Sequence, residues 1–243
     1  MSVLAMTCTI IGALPVLLVK IKKDGLIEDL IDIGLGFSGG VMMVASFTSL
    51  LLPAINGGGF TIAIAGFIIG AVVIAVINEV IPHEHIFKGF EGWHVAKVKI
   101  KTAWLVALAI LIHNLPEGYS IGIASAYKVM EGVKVGLAIS LQDIPECLAI
   151  ALPILAISGS RILAITITTL SGASEVLTAL LAVSLLGDPR VLYLSLSSAA
   201  GAMIYIVSHE AIPESHRSGV ERKATIGFFL GFIIMLYLDT MLS

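Results

Sequence analysis

The hydrophobic residues of this chain form long blocks that charged residues do not interrupt. Between Ile33 and Asn78 there is no Asp, Glu, Lys, Arg or His. A helix needs about 20 mainly apolar residues to cross a bilayer, so this block is long enough for two membrane-spanning helices. The glycine-rich stretch from Pro53 to Gly59 is the predicted turn between them.

The same pattern along the rest of the chain predicts eight transmembrane helices. Their expected ranges are residues 2–20, 30–53, 60–81, 101–126, 134–158, 161–186, 190–212 and 223–242. The connections between these ranges are short, so we expect a single transmembrane domain over residues 1–243. The longest hydrophilic stretch runs from Pro82 to Lys101.

Basic residues are divided unequally between the two sides of this arrangement. The loops 1–2, 3–4, 5–6 and 7–8 carry eleven Lys and Arg residues, and the opposite side carries three. The larger set is Lys20, Lys22, Lys23, Lys88, Lys97, Lys99, Lys101, Arg161, Arg217, Arg222 and Lys223, and the smaller set is Lys128, Lys134 and Arg190. Because cytoplasmic loops are enriched in Lys and Arg, the first side is predicted to be cytoplasmic and both termini external.

A weak internal repeat relates the second and seventh predicted spans at an offset of 160 residues. It matches Ser38, Met43, Thr48 and Pro53 with Ser198, Met203, Ser208 and Pro213. The two spans cross the membrane in opposite directions, so spans 1–3 and 6–8 would be inverted repeats enclosing spans 4 and 5. Inverted repeats are frequent in transporters, with the binding site at their interface. The predicted fold is therefore an all-α membrane protein with a 3+2+3 inverted-repeat bundle.

The composition supports a membrane protein and excludes several other classes. The chain of 243 residues is 58% hydrophobic and 13% charged, whereas soluble domains contain about 25% charged residues. The net charge of −3 gives no reason to expect a nucleic-acid partner. The two cysteines, Cys8 and Cys147, form neither a disulfide framework nor a zinc-ribbon spacing. The lipid bilayer is the partner that this composition requires.

Two matching polar motifs occur inside the fourth and fifth predicted spans. One is His113-Asn114-Leu115-Pro116-Glu117 and the other is Gln142-Asp143-Ile144-Pro145-Glu146. Residues four apart share a helix face, so His113 pairs with Glu117 and Gln142 with Glu146. Asn114 and Asp143 lie on an adjoining strip. Two such helices facing each other would bring all six polar side chains together.

The motifs are predicted to lie near the middle of the bilayer, together with Glu175 of the sixth span. Helix rise places His113 about 18 Å past Lys101 and Glu175 about 21 Å past Arg161. Each charged side chain at this depth costs about 2.5–3.5 kcal/mol. Within predicted spans 4 to 6, Lys and Arg occur only at the first residue of each span, Lys101, Lys134 and Arg161. Either these carboxyl groups are protonated, or a mobile cation supplies the missing positive charge.

The residue types indicate which cation such a site would hold. Pro116 and Pro145 each leave one backbone carbonyl without its helical partner, and such irregular backbone is tolerated where it lines a cavity. Imidazole with carboxylate oxygens suits Zn²⁺, Cd²⁺, Fe²⁺ or Mn²⁺, whereas Mg²⁺ and Ca²⁺ are usually bound by oxygen alone. We expect the ion to be transported cargo and not a cofactor.

The paired motifs resemble those of the ZIP (Zrt/Irt-like) family of divalent metal transporters. The resemblance covers essentially the whole chain and implies eight spans, external termini and transport into the cytoplasm. It also implies two metal positions, the first formed by His113, Glu117, Gln142 and Glu146. The second would comprise Asn114, Glu117, Asp143, Glu146 and Glu175. Many members have His where this chain has Gln142, and an elevator-like movement of spans 1, 4, 5 and 6 is attributed to members.

Histidines near the predicted cytoplasmic side are candidate exit contacts. His83, His85 and His94 lie in the loop between spans 3 and 4, and His209-Glu210 ends span 7. They would receive metal that leaves the membrane, and the plainer alternative is that they are solvated residues. The His209-Glu210 pair lacks the second histidine of a zinc-protease motif, because Pro213 stands in its place.

Three other functions remain open at this point. A cation/proton or cation/Ca²⁺ exchanger would use oxygen ligands alone, which His113 does not fit. An intramembrane metal-dependent hydrolase would need the missing histidine. A metal sensor is the third, although the chain has no sizeable soluble output domain. We therefore predict a multi-pass protein of the cell membrane that is not an enzyme, and the sequence is compatible with a homodimer.

Overall fold

The computed structural model describes residues 1–18, 25–80, 83–85, 89–91, 102–184, 189–216 and 221–242. Helices dominate these ranges: α1 (Ser2–Ala13), α2 (Gly25–Ala45), α3 (Leu52–Gly58), α4 (Phe60–Val80), α5 (Thr102–Tyr127), α6 (Val129–Ser158), α7 (Arg161–Ser184), α8 (Pro189–Ile206), α9 (Ile212–Ser215) and α10 (Glu221–Met241). A 3₁₀ turn, Leu14–Leu17, extends α1. The short strands β1 (His83–His85) and β2 (Gly89–Glu91) pair antiparallel, with His83 opposite Glu91.

Six helical rods in the described residues are long and apolar enough to cross a membrane. They are Ile31–Gly58, Phe60–Val80, Val129–Leu152, Arg161–Ser184, Arg190–Ser215 and Glu221–Met241, and Ser2–Leu17 is a shorter apolar helix. Large apolar side chains such as Ile68, Phe229 and Ile233 lie more than half exposed on the outer faces of α4 and α10. Such a surface needs lipid contact, which confirms the prediction of a helical multi-pass membrane protein.

Two helix boundaries in the structure differ from the predicted span limits. The stretch from Pro53 to Gly58 is helical, and the chain reverses only at Gly59, whose φ of 80° suits glycine. Pro53 lies in the first turn of α3, directly after the π-helical segment Ser46–Leu51, and the helical rod continues through it. Helix α6 begins at Val129, so Lys134 lies inside the helix and not at its predicted start.

A π-helical segment interrupts each of two long rods just before a proline. Ser46–Leu51 joins α2 to α3 ahead of Pro53, and Val207–Ala211 joins α8 to α9 ahead of Pro213. The two segments correspond at the 160-residue offset of the sequence repeat. Helix pairs recur in the same way, because α2 packs on α10 as α8 packs on α4, and α1 packs on α6 as α7 packs on α5. These recurrences fit the predicted inverted repeat.

Candidate metal centre

Helices α5 and α6 carry the two polar motifs and pack against each other, with α1 and α7 on their flanks. Both helices continue through their prolines, Pro116 and Pro145. The motif side chains point into the bundle, since the exposed fraction is 1% for Glu117, 0% for Gln142 and 2% for Asp143. The matched spacing therefore produces one buried polar centre.

The first group of potential ligand atoms joins the two motifs. His113, Glu117 and Glu146 each offer one ligand atom, and these atoms lie within 4.8 Å of one another. His113 Nε2 lies 2.9 Å from Glu146 Oε1, although the angles are not those of a hydrogen bond. An imidazole nitrogen and two carboxylates facing a common point are a typical ligand set for Zn²⁺.

The second group extends the centre towards α7. Glu117, Asp143 and Glu175 also bring ligand atoms within 4.8 Å of one another. Glu175 is fully buried, and its Oε1 accepts a hydrogen bond of 2.5 Å from Asn114 Nδ2. Because Glu117 belongs to both groups, its carboxylate lies between them.

Gln142 contacts the shared glutamate through its amide. Its Nε2 donates to Glu117 Oε1 at 2.5 Å, while its own Oε1 is buried and accepts no hydrogen bond. The centre thus holds several buried acceptor atoms without a donor: Gln142 Oε1, Glu146 Oε2 and Glu175 Oε2. Unsatisfied buried polar atoms are rare in native proteins, and a bound cation would satisfy these.

The electrostatic balance of the centre is strongly acidic. Among the residues whose side chains the structure describes, no Lys or Arg contacts Glu117, Asp143 or Glu175, and the ion-pair partner of Glu146 is His113. Four carboxylates and one imidazole share a space from which water and lipid headgroups are largely excluded. Such a cluster tolerates its charge only when protons or metal ions neutralise it.

Glycine at position 118 permits the close approach of α5 and α7. A Cβ there would lie 2.5 Å from Glu175 Cα, closer than any real side chain could be. Gly12 does the same for α1, since a Cβ would lie 3.0 Å from Asp143 O. The small residues therefore set the spacing that brings Glu175 to the motif helices.

Sequence reasoning missed two hydroxyl groups at this centre. Thr9 Oγ1 of α1 has two acceptors for its single proton, the Ala5 carbonyl at 3.0 Å and Asp143 Oδ2 at 3.3 Å. Ser38 Oγ of α2 donates to the carbonyl of Gln142 at 3.0 Å. That carbonyl is three residues before Pro145, in the turn where the proline supplies no N–H. Nothing in the sequence distinguishes these hydroxyls from many others, because serine and threonine are common throughout the apolar segments.

Glu210 lies closer to the motif centre than its predicted role as an exit contact implies. Its Oε2 is 3.4 Å from His113 Nδ1, and its Oε1 accepts a 2.8 Å hydrogen bond from Asn78 Nδ2. Glu210 belongs to the π segment after α8, and Asn78 belongs to α4. These contacts connect the motif helix α5 directly to helices outside the motif pair. His209 instead stacks on Tyr205, with ring centroids 5.1 Å apart.

The structure describes only part of the loop that contains the predicted histidine contacts. His83 and His85 lie on β1, but their side chains lie outside the described residues, as does His94 entirely. Their predicted contact with metal stays a prediction.

Comparison with known proteins decides the family. The model of the Zip family, described as ZIP Zinc transporter, matches residues 88–239, which is more than half of the chain. This chain belongs to the ZIP zinc transporter family. The resemblance based on the paired motifs is thereby confirmed.

Relatives with similar sequences are named as zinc transporters. Zinc transporter ZIPB of Bordetella bronchiseptica is 38% identical over 87% of this chain and 72% of its own length. Zinc transporter GufA of Myxococcus xanthus is 37% identical over 100% of this chain and 97% of its own length. Zinc transporter ZupT of Corynebacterium glutamicum is 34% identical over 90% of both chains.

Family membership settles the class of activity. The chain is a divalent metal transporter and not an enzyme. The exchanger and hydrolase alternatives receive no support from these comparisons.

Proposed function

We propose that this ZIP protein carries Zn²⁺ into the cytoplasm through a binuclear centre between α5 and α6. Cd²⁺, Fe²⁺ and Mn²⁺ are the other candidate cargoes. The observation that carries the proposal is the position of Glu117, whose carboxylate belongs to two adjacent groups of potential ligands. A carboxylate can bridge two cations with its two oxygens, so the groups would act as neighbouring metal positions.

The first metal position comprises His113, Glu117, Gln142 and Glu146. Its support is the 2.9 Å approach of His113 Nε2 to Glu146 and the free oxygen of Gln142. An amide oxygen is a weaker ligand for Zn²⁺ than an imidazole nitrogen. Gln142 in place of the family's frequent histidine therefore makes this position less selective for zinc.

The second metal position comprises Asn114, Glu117, Asp143, Glu146 and Glu175. Its support is the proximity of the Glu117, Asp143 and Glu175 carboxylates. The side-chain oxygen of Asn114 becomes available when Glu175 binds metal and the amide turns. This position is oxygen-rich and suits harder cations than the first.

The path towards the cytoplasm leaves the centre past Glu210. Its contact with His113 at 3.4 Å supports a direct handover of metal from the first position. His209 and the loop histidines His83, His85 and His94 would follow along this path. The direction of transport rests on the family resemblance and on the basic residues assigned to the cytoplasmic loops.

The architecture that would carry this activity is a single domain of eight spans in a 3+2+3 arrangement, with both termini outside the cytoplasm. The recurring π segments and helix pairs support the inverted repeat. The cell membrane is the proposed location, and a homodimer is the proposed assembly.

The proposal is tested by metal uptake into liposomes that contain the purified protein. We expect Zn²⁺ and Cd²⁺ uptake by the wild type and none by Glu117→Ala or Glu146→Ala. Glu221→Ala, at an exposed acidic residue that begins α10, is the control and should retain full uptake. Wild-type flux in a variant that lacks both Glu117 and Glu146 would refute the assignment.

A further inference from the structure

A cavity of about 430 Å³ lies between α4, α5, α7 and α8. Its walls include Ile69 and Val73 of α4, Leu115 and Pro116 of α5, Leu181 of α7 and Ala202 of α8. This volume falls in the range of small-molecule sites, roughly 300–1,000 Å³. Because Leu115 and Pro116 line it, the cavity borders the turn of α5 that carries His113 and Glu117. It is not part of the metal centre.

The walls of the cavity offer almost nothing to a polar ligand. Among the residues that the structure describes, no charged side chain lines it. Two of its three hydroxyl-bearing side chains already donate within their own helices, Thr178 to Ser174 O at 2.8 Å and Ser198 to Ser195 O at 3.0 Å. Tyr119 is the third. An occupant must therefore be uncharged and must bind through apolar contact.

The mouth of the cavity faces the lipid side of the bundle. Three wall residues are strongly exposed, with fractions of 49% for Ile69, 48% for Val73 and 62% for Leu181. Helix rise places Ile69 about 14 Å from the start of α4 and Pro116 about 21 Å from the start of α5. Both depths fall within a hydrocarbon core about 30 Å thick. Lipid tails, and not headgroups, are present at this level.

We propose that an acyl chain of a bilayer lipid enters this cavity and packs against Leu115 and Pro116. The mouth of the cavity opens onto the lipid-facing surface, so an acyl chain can enter from the bilayer. The uncharged wall favours an acyl chain over a polar ligand. The tail fills the space between α4 and the pair formed by α5 and α7, directly behind the motif turn of α5. This binding site does not depend on the proposed metal cargo.

Photolabelling tests the proposal in metal-free proteoliposomes. The probe is a phosphatidylcholine with a diazirine in the middle of one acyl chain, and labelled residues are located by mass spectrometry. We expect label on Leu115 and Pro116 as well as on the exposed outer residues. Pro116 is buried, so a tail that remains outside the cavity does not reach it. Absence of label on Leu115 and Pro116, with strong label on outer residues, would overturn the proposal.

Adjacent residues of similar exposure provide matched variants. Val73 lines the cavity and Val72 does not, with exposed fractions of 48% and 53%. Leu181 and Leu180 form a second such pair, at 62% and 65%. Val73→Phe and Leu181→Phe fill the mouth and should lower labelling of Pro116 several-fold, whereas Val72→Phe and Leu180→Phe should leave it unchanged. Equal labelling of Pro116 in all four variants would contradict occupation of the cavity.

Discussion

Two buried acidic clusters in this protein differ in how their charge is balanced. The motif centre contains Glu117, Asp143, Glu146 and Glu175 with His113. The second cluster, here termed the lysine cluster, comprises Ser49, Glu131, Lys134 and Asp239. In the lysine cluster, Lys134 Nζ lies 3.2 Å from Glu131 Oε1 and 3.5 Å from Asp239 Oδ1. Ser49 also donates to Asp239 Oδ1 at 3.0 Å.

The difference lies in whether the cation is covalently attached. Lys134 is only 5% exposed, and its ammonium group cannot leave, so the lysine cluster joins α6 to α10 and to the π segment after α2 permanently. The motif centre has no comparable cation among the described residues, so protons or exchangeable metal ions must neutralise its carboxylates. A tethered ammonium group is suited to holding helices together, whereas carboxylates without a tethered cation are suited to binding and releasing a transported ion.

The largest effect should come from giving the motif centre a fixed cation. Asn114→Lys would place an ammonium group beside Glu175, as Lys134 lies beside Glu131. We expect Zn²⁺ uptake to fall to that of empty liposomes while the protein remains folded, because the tethered charge replaces the mobile one. Asn114→Met matches the length without the charge and should keep Zn²⁺-induced thermal stabilisation through the first metal position. Wild-type uptake in Asn114→Lys would show that the carboxylates do not hold the cargo.

The converse change removes the fixed cation from the lysine cluster. Lys134→Met should lower the free energy of unfolding by about 3 kcal/mol, the lower end for a broken buried pair, because Asp239 is partly exposed. Thermal unfolding in detergent measures the loss. A triple variant with Glu131→Gln and Asp239→Asn should recover most of it. Without that recovery, the loss would come from packing and not from charge.

Acidification should separate the two clusters further. Carboxylate and imidazole ligands must lose protons to bind metal, so Zn²⁺-induced stabilisation of the wild type should shrink between about pH 7 and about pH 5. The shift in unfolding temperature on adding Zn²⁺ measures this effect at each pH. Asn114→Lys should show no Zn²⁺ shift at either pH. A shift that is independent of pH would exclude His113 and the carboxylates as ligands.

The smallest effect is expected at the hydroxyl group of α1. Thr9→Val removes the donor to Asp143 Oδ2 with little change in shape. One such hydrogen bond contributes about 1 kcal/mol, so the affinity for Zn²⁺ should fall about five-fold in Thr9→Val. Thr9→Ser retains the hydroxyl and should restore the wild-type affinity. Lower affinity in Thr9→Ser but not in Thr9→Val would assign the role to the methyl group, which serine lacks and valine retains.

Local rules are the basis of the predicted motif centre. The spacing of four residues between His113 and Glu117, and between Gln142 and Glu146, fixes which side chains share a helix face. The predicted depth of Glu175 follows from counting helix rise from Arg161. Each of these inferences needs only a regular helix and the thickness of a bilayer.

The same rules fail where the helix is irregular or where contacts cross between distant segments. Glu210 lies beside His113 because its helix passes through a π segment, which a count based on regular helical rise does not foresee. The sequence pattern predicts Lys134 at the start of a span, but Glu131 of its own helix and Asp239 of the distant helix α10 allow it to be buried. The turn predicted from Pro53 to Gly59 is mostly helical, because the rod continues through the π segment and Pro53 as far as Gly58.

The sequence by itself determined that this chain spans a membrane, that two acidic motifs face each other inside it, and which family it resembles. Those features depend on hydrophobic length and helical period, which neighbouring residues set. Only the tertiary structure decided that Glu117 belongs to both ligand groups, that Thr9 contacts Asp143, and that Lys134 neutralises Asp239. These contacts join residues far apart in the chain, and close packing of small residues at helix crossings determines which of them meet.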